Sequence, residues 1–162
     1  MRSALKPATS SSSSPPWPVA DPNDHIDVQL SATALSLQVC RDFVVHPSCG
    51  GLCFFEGTIR DLNLGATVTH LEFEAYAPMA VKEMTKIAVA ARNDFGLHAV
   101  ALHHRTGDLA IGETAVIIAV SSVHRKPAFE GCEFIIDELK KTVPIWKREY
   151  RADGSHWLNA HP

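Results

Sequence analysis

The chain has 162 residues, of which 46% are hydrophobic and 20% are charged, a composition typical of one globular domain. Its formal net charge of −3 argues against a nucleic-acid binder that relies on overall basicity. No apolar run approaches the roughly 20 residues of a membrane-spanning helix, so no membrane segment is predicted.

The first 22 residues are rich in Ser and Pro, with the runs SSSSS and PPWP. Such a segment buries too little apolar surface to offset the entropy cost of ordering it, so a disordered tail is predicted. A transit peptide is the alternative, because Arg2 and Lys6 precede the first acid, Asp21, but arginines are few and no amphipathic period is present. We predict a dispensable tail over 1–22 and one folded domain over 23–162.

Hydrophobic periodicity in the domain predicts the element order β-α-β-β-α-β-β-α-β-β. The predicted strands cover 26–30, 52–60, 68–77, 99–107, 114–123, 145–150 and 155–160. The predicted helices begin near Ala32, Pro78 and Pro127 and end near Phe43, before Gly96 and before Pro144. Turns at 63–65 and 152–154 favour hairpins and a largely antiparallel sheet, and therefore an α+β fold.

The four cysteines, Cys40, Cys49, Cys53 and Cys132, show no metal-binding pattern. Cys49 and Cys53 are close in sequence, but no paired CxxC or histidine spacing accompanies them. His70 and the run from His103 to Arg105 are more typical of strand residues than of metal ligands. The cysteines are therefore interpreted as structural thiols in a reducing compartment, and no metal site is predicted.

Cations are concentrated in two segments. In SVHRKPAFEG (122–131), His124 and Arg125 precede the predicted start of the third helix, where the helix dipole already favours an anion. A bound anion and an ordinary solvated loop are equally compatible with this pattern.

The second segment is LKKTVPIWKRE (139–149). Lys140 and Lys141 lie at the predicted helix end, where cations complement the dipole. If Trp146 is buried, Lys147 points outward, into a cleft lined by Arg60, which strand alternation places on one face with Phe54. Such a lysine would have a lowered pKa and would hold phosphate or act in proton transfer. The sequence contains no dinucleotide fingerprint and no Walker loop, so no cofactor is predicted.

Several long motifs together resemble one family, the large catalytic subunit of molybdopterin synthase. They are GGLCFFEGTIRDLNLGATVTHLEFEAYAPMA, HRTGDLAIGE, VSSVHRKPAFEGCEFIIDELKKTVPIWKRE and DGSHW, from about residue 25 to the C-terminus. The resemblance implies an α/β-hammerhead-like fold with an additional antiparallel sheet. It also implies a cytosolic sulfurtransferase of molybdenum cofactor biosynthesis. In that reaction two sulfurs pass to cyclic pyranopterin monophosphate (precursor Z), giving molybdopterin.

The partners implied by the resemblance are a small ubiquitin-like subunit and a second large subunit. The small subunit carries a thiocarboxylate on its Gly-Gly C-terminus and inserts that tail into the large subunit. Two large subunits form the central homodimer of a heterotetramer. Neither nucleic acid nor a membrane is among the expected partners.

The resemblance also implies roles for individual residues. Lys140, Lys147 and Arg60 correspond to the family's catalytic cations, and Phe55 to a pocket-lining position. His124 and Arg125, together with Lys140 and Lys147, correspond to substrate-binding residues, the first two partly across the dimer. One departure is His161, which stands where bacterial members often carry an arginine.

Two other functions stay open from the residues alone. A non-catalytic scaffold would present the small subunit without taking part in sulfur transfer. A single-stranded nucleic-acid module would use Trp146, Trp157 and the basic cluster as a stacking groove.

Overall fold

The computed structural model describes residues 24–159, so the predicted tail over 1–22 and the departure at His161 lie outside the described residues. The strands are β1 (Ile26–Ser31), β2 (Gly51–Thr58), β3 (Leu62–Asn63), β4 (Ala66–Ala75), β5 (Ala99–Arg105), β6 (Gly107–Ala110), β7 (Thr114–Ser122), β8 (Ile145–Arg151) and β9 (His156–Asn159). The helices are α1 (Leu37–Val44), α2 (Ala77–Phe95) and α3 (Arg125–Thr142). None of these helices is long and apolar enough to cross a membrane.

Local signals explain where the helices begin and end. The α1 helix begins five residues later than predicted, because the Ser36 hydroxyl accepts a hydrogen bond from Val39 N at 3.3 Å and caps the first turn. The α2 helix has a proline in its first turn and ends at Gly96, whose φ of 66° is left-handed. The α3 helix ends at Thr142, before Pro144, as predicted.

The strands form two sheets, and the fold is α+β as the sequence predicts. The first sheet has the order β1-β5-β7-β2, with β1 parallel to β5 and the remaining pairs antiparallel. The second has the order β3-β4-β8-β9, with β6 also paired to β4, and all its described pairs are antiparallel.

Two short strands, β3 and β6, are absent from the sequence-based prediction. The β3–β4 hairpin closes on the predicted turn, where Leu64 and Gly65 have φ angles of 50° and 78°, as two-residue hairpin loops require. Strands of two and four residues show too few alternations to be recognised by period.

The helices cover both faces of the first sheet. Helices α2 and α3 pack on one face and on the inward residues of the second sheet, forming one large core. Helix α1 covers the opposite face, where Cys40 and Val44 pack on Ala99, Ala101 and Ile117. The two sheets therefore meet beside the C-terminal end of α3.

One glycine allows β2 and α3 to approach closely. A Cβ atom on Gly51 would lie 2.7 Å from the carbonyl carbon of His124 and 2.9 Å from Arg125 N. Only a residue without a side chain fits at this distance. The start of β2 is thereby held directly against the first turn of α3.

Candidate active site

A cavity of about 200 Å³ lies where the two sheets meet the C-terminal end of α3. Its lining includes Phe55 from β2, Arg60 just beyond β2, Lys140 from the last turn of α3 and Lys147 from β8. Four of the six residues singled out from the sequence thus surround one cavity. A β-bulge between Gly57 and Thr58 breaks the alternation of β2. Arg60 therefore shares the cavity with Phe55, whereas the sequence predicted that it would share a strand face with Phe54.

The prediction for β8 had the two faces reversed. Trp146 is 42% exposed, whereas Lys147 is half-buried and points into the cavity. Lys147 pairs with Phe73 of β4, and Trp146 pairs with Glu74. The cleft predicted for Lys147 and Arg60 exists, but it is reached from the inner face of the strand.

The cavity is electrostatically positive. Burial lowers the pKa of Lys147, Glu149 opposes that shift, and the nearby charges of Lys140 and Arg60 lower the pKa further. Within the described residues, none of these three cations forms a side-chain hydrogen bond or an ion pair. Three cations and one carboxylate, that of Glu149, line the cavity, and this excess of positive charge favours an anionic ligand.

Glu149 is a cavity residue that the sequence analysis missed. It is only 2% exposed. Its Oε2 accepts from Asn63 Nδ2 at 2.8 Å, and its Oε1 accepts from Arg151 Nε at 3.0 Å. The paired carboxylate is held rigidly, and its charge keeps Lys147 more basic than burial alone would allow. The sequence did contain a signal for it, because residues two apart on a strand share a face, which places Glu149 on the same face as Lys147.

His104 is the second missed residue. It lies on β5 and lines the cavity, and its Nδ1 donates to the carbonyl oxygen of Arg105 at 2.8 Å. Burial lowers its pKa to about 4, against the raising effect of that hydrogen bond. Near neutral pH the imidazole is therefore uncharged, with Nε2 as an acceptor.

His124 and Arg125 do not reach this cavity. His124 is the N-cap of α3, and Arg125 and Lys126 belong to its first turn, two residues earlier than the predicted start at Pro127. All three side chains are exposed. At a rise of about 1.5 Å per residue, Arg125 lies about 22 Å along the helix axis from Lys140. One chain therefore cannot bring both ends of α3 to one small ligand.

The tryptophan groove required by a nucleic-acid module is absent from residues 24–159. Trp157 on β9 pairs with Glu149, whereas Trp146 is on the opposite side of β8. Directly opposed residues share a face and adjacent residues do not. The two exposed rings consequently lie on different faces of the sheet.

Comparison with known proteins identifies close relatives. The family model described as MoaE protein matches residues 30–142. The molybdopterin synthase catalytic subunit of Arabidopsis thaliana is 47% identical over 116 residues, which are 72% of this chain and 59% of that protein. Molybdopterin synthase catalytic subunit 1 of Aedes aegypti is 44% identical over 134 residues, 80% of this chain and 86% of that protein.

Solved structures give the same grouping. Molybdopterin synthase from Staphylococcus aureus superposes with a TM-score of 0.75 at 33% identity, covering 86% of this chain and 98% of that chain. A complex of subunits 1 and 2 of molybdopterin-converting factor from Helicobacter pylori superposes with a TM-score of 0.65 over 85% of this chain and 93% of that chain. At 23% identity, that second likeness concerns the fold alone.

Proposed function

The chain belongs to the MoaE family, and from that membership we propose that it is the catalytic subunit of a molybdopterin synthase. The proposed reaction transfers two sulfurs to cyclic pyranopterin monophosphate and produces the dithiolene of molybdopterin. The observation that carries the proposal is the cavity in which Arg60, Lys140 and Lys147 converge without an ion-pair partner. Both the phosphate of the substrate and the thiocarboxylate of the sulfur donor are anions.

Each cation has a distinct position for this chemistry. Lys140 is exposed at the end of α3, where an incoming peptide tail can meet it, and in the proposal it steers the thiocarboxylate. Lys147 is half-buried, and Arg60 is exposed just beyond β2 and lines the same cavity; in the proposal these two hold the substrate and offset charge that develops as sulfur attacks carbon. Fixed cations in a partly dehydrated cavity stabilise developing anions better than water does.

The cavity also contains a proton donor, Lys147, and a proton acceptor, His104. Lys147, with its lowered pKa, releases a proton more readily than an ordinary lysine and returns it to a departing oxygen. Neutral His104 offers an acceptor nitrogen. Phe55 forms an apolar part of the wall, which limits water around the reacting sulfur.

The proposed sulfur donor is a small ubiquitin-like subunit with a Gly-Gly C-terminus. The catalytic-subunit relatives support this donor, and a Gly-Gly tail would bring no side chains into the cavity of about 200 Å³. The four free cysteines of the chain are consistent with work in the reducing cytosol.

A homodimer of this chain completes the proposed site. His124 and Arg125 are exposed about 22 Å along α3 from Lys140, so their proposed contact with the substrate phosphate is made in the site of the partner chain. The assembly is then a heterotetramer with two composite sites.

The central experiment mixes the purified chain, a thiocarboxylated small subunit and cyclic pyranopterin monophosphate, and measures dithiolene product. Lys140→Ala should form the complex normally and lose at least about 100-fold in product formation. Lys141→Ala is the matched control, because Lys141 is the adjacent residue, is exposed and pairs with Glu138 at 2.9 Å. A Lys140→Ala complex with full activity would support the scaffold function instead.

Mixing two inactive variants tests the composite site. In a mixed dimer of Lys140→Ala and Arg125→Ala, one site carries both changes and the other carries neither. Activity should therefore return when the two variants are refolded or co-expressed together. Two inactive variants that stay inactive when mixed would place Arg125 and Lys140 in sites of the same chain, against the proposal.

A further inference from the structure

A second cluster of potential ligands lies apart from the cavity. His46 and Cys49 belong to the loop between α1 and β2, and His98 directly precedes β5. None of the three lines the cavity. One ligand atom from each residue lies within 4.8 Å of the other two. We propose that His46, Cys49 and His98 form a zinc-binding site.

The spacing of the ligand atoms is close to that of a tetrahedral zinc site. Zn–N and Zn–S bonds of about 2.0–2.3 Å imply ligand separations of about 3.3–3.6 Å. The ligand atoms therefore need to move closer together by about 1 Å. A loop can make this adjustment more easily than a strand, and two of the three residues are in one loop. That loop is already ordered, since Cys49 N donates to His46 O at 3.0 Å and Gly50 N donates to Val123 O at 3.2 Å.

Three imidazole rings lie close together at the cluster. The ring centroid of His98 lies 4.2 Å from that of His46 and 4.6 Å from that of His25. A neutral imidazole is the ligand, and a fourth position is left for His25 or water.

Binding has two identifiable costs. Burial raises the pKa of the Cys49 thiol, so the metal must displace a proton to gain a thiolate. Ser48 N donates to His46 Nδ1 at 3.2 Å. This hydrogen bond is lost whichever ring nitrogen binds, because Nδ1 then holds either the metal or the proton.

Charges near the site make the thiolate essential. The Arg92 guanidinium, whose Nε donates to His98 O at 3.1 Å, repels a divalent cation. Asp24 beside His25 acts in the opposite direction. A Cys49 thiolate supplies the remaining negative charge, and a mixed nitrogen and sulfur set suits zinc better than magnesium or calcium.

The test uses the full chain, purified without a histidine tag and stripped of metal. Zinc per chain is measured by mass spectrometry after dialysis, affinity by competition with a chromophoric chelator, and thiolate ligation by the charge-transfer absorption of bound Co²⁺. One zinc per chain is expected, together with a higher Tm, because the metal joins the α1–β2 loop to the start of β5. Cys49→Ser and His46→Ala should each weaken zinc binding at least about tenfold.

Matched controls separate this site from adventitious binding. Cys53 is half-buried like Cys49 but lies outside the cluster, and His70 is an equally half-buried histidine on β4. Cys53→Ser and His70→Ala should leave zinc binding unchanged. Less than one zinc per chain, or binding that either His46→Ala or Cys49→Ser leaves intact, would overturn the assignment. Synthase activity is not needed for any of these measurements.

Discussion

Both faces of β8 carry a cation, but the cation on the outer face is paired with a carboxylate and the one on the inner face is not. On the outer face, Arg148 donates to Glu72 Oε2 at 3.2 Å, and Tyr150 donates to the same oxygen at 2.9 Å. On the inner face, Lys147 is half-buried near two further cations and has no direct partner. The outer pair is partly buried and its two charges offset each other, whereas the inner cation is left available for a ligand.

The difference shows that a strand rich in charge is not uniformly a surface strand. Arg148 has the stabilising surroundings of an ordinary cross-strand pair. Lys147 bears a desolvation cost that nothing within the described residues fully offsets, which is typical of functional sites. The same comparison can be tested by changing one face at a time.

The largest expected effect comes from removing the inner cation. Lys147→Ala should lower kcat/KM by about 100-fold or more, because it removes a positive charge from the place where negative charge develops. The folded protein should not be destabilised, since the burial cost of the ammonium disappears with it. Steady-state kinetics and thermal unfolding of the same sample measure both. A loss of activity accompanied by a clear fall in Tm would mean that Lys147 has a structural role.

Replacing the inner carboxylate should affect stability first. Glu149→Gln places an amide NH₂ against one of two donors, Asn63 Nδ2 or Arg151 Nε, and so leaves a buried group unsatisfied. A loss of about 1–3 kcal/mol in the free energy of unfolding is expected, measured by urea denaturation. Unchanged stability would show that these hydrogen bonds are not maintained in solution.

The lowered pKa of Lys147 predicts the alkaline limb of the pH profile. The proton is lost as pH rises through a value below the usual 10.5, so kcat/KM should fall at lower pH than for an ordinary lysine. Lys147→Arg, which stays charged, should move that fall to higher pH. An identical limb in both proteins would assign it to another group.

The same shift has a consequence for stability. Between the lowered pKa and 10.5 the unfolded chain binds more protons than the folded chain, so the destabilising effect of Lys147 diminishes as pH rises. Lys147→Ala should therefore gain more stability relative to the parent protein at neutral pH than at alkaline pH. Urea denaturation at the two pH values measures the difference.

The smallest effect is expected on the outer face. Arg148→Ala removes a partly exposed ion pair on the face of the sheet opposite the cavity, and pairs near the surface contribute only modestly to stability. Its kcat/KM should match that of the parent protein in the assay used for Lys147→Ala. A large loss in Arg148→Ala would erase the distinction between the two faces.

Most of the fold could be predicted from the sequence because its elements are long and regularly patterned. The α2 and α3 helices carry clear stops at Gly96 and Pro144. The start of α1 and the short strands β3 and β6 were not predicted, because each depends on one capping bond or on pairing with a distant strand.

The site was predicted less completely than the fold. Alternation shows that Trp146 and Lys147 lie on opposite faces, but which face is inward depends on which side of the second sheet joins the core. Glu149 and His104 were missed for the same reason, since their burial depends on the second sheet. The His46-x-x-Cys49 spacing was passed over because its third member, His98, lies far away in sequence.

The chain leaves α3 abruptly at Val143 and Pro144, so the number of residues between Lys140 and Lys147 matters as much as their identity. Lys140 is positioned by helical rotation and Lys147 by strand alternation, with the helix ending at Thr142 and β8 starting at Ile145. One inserted residue within β8 before Lys147 would turn that side chain outward and bring Trp146 inward. Single-residue insertions and deletions here should therefore be tolerated far less than substitutions, a pattern that a library of length variants would reveal.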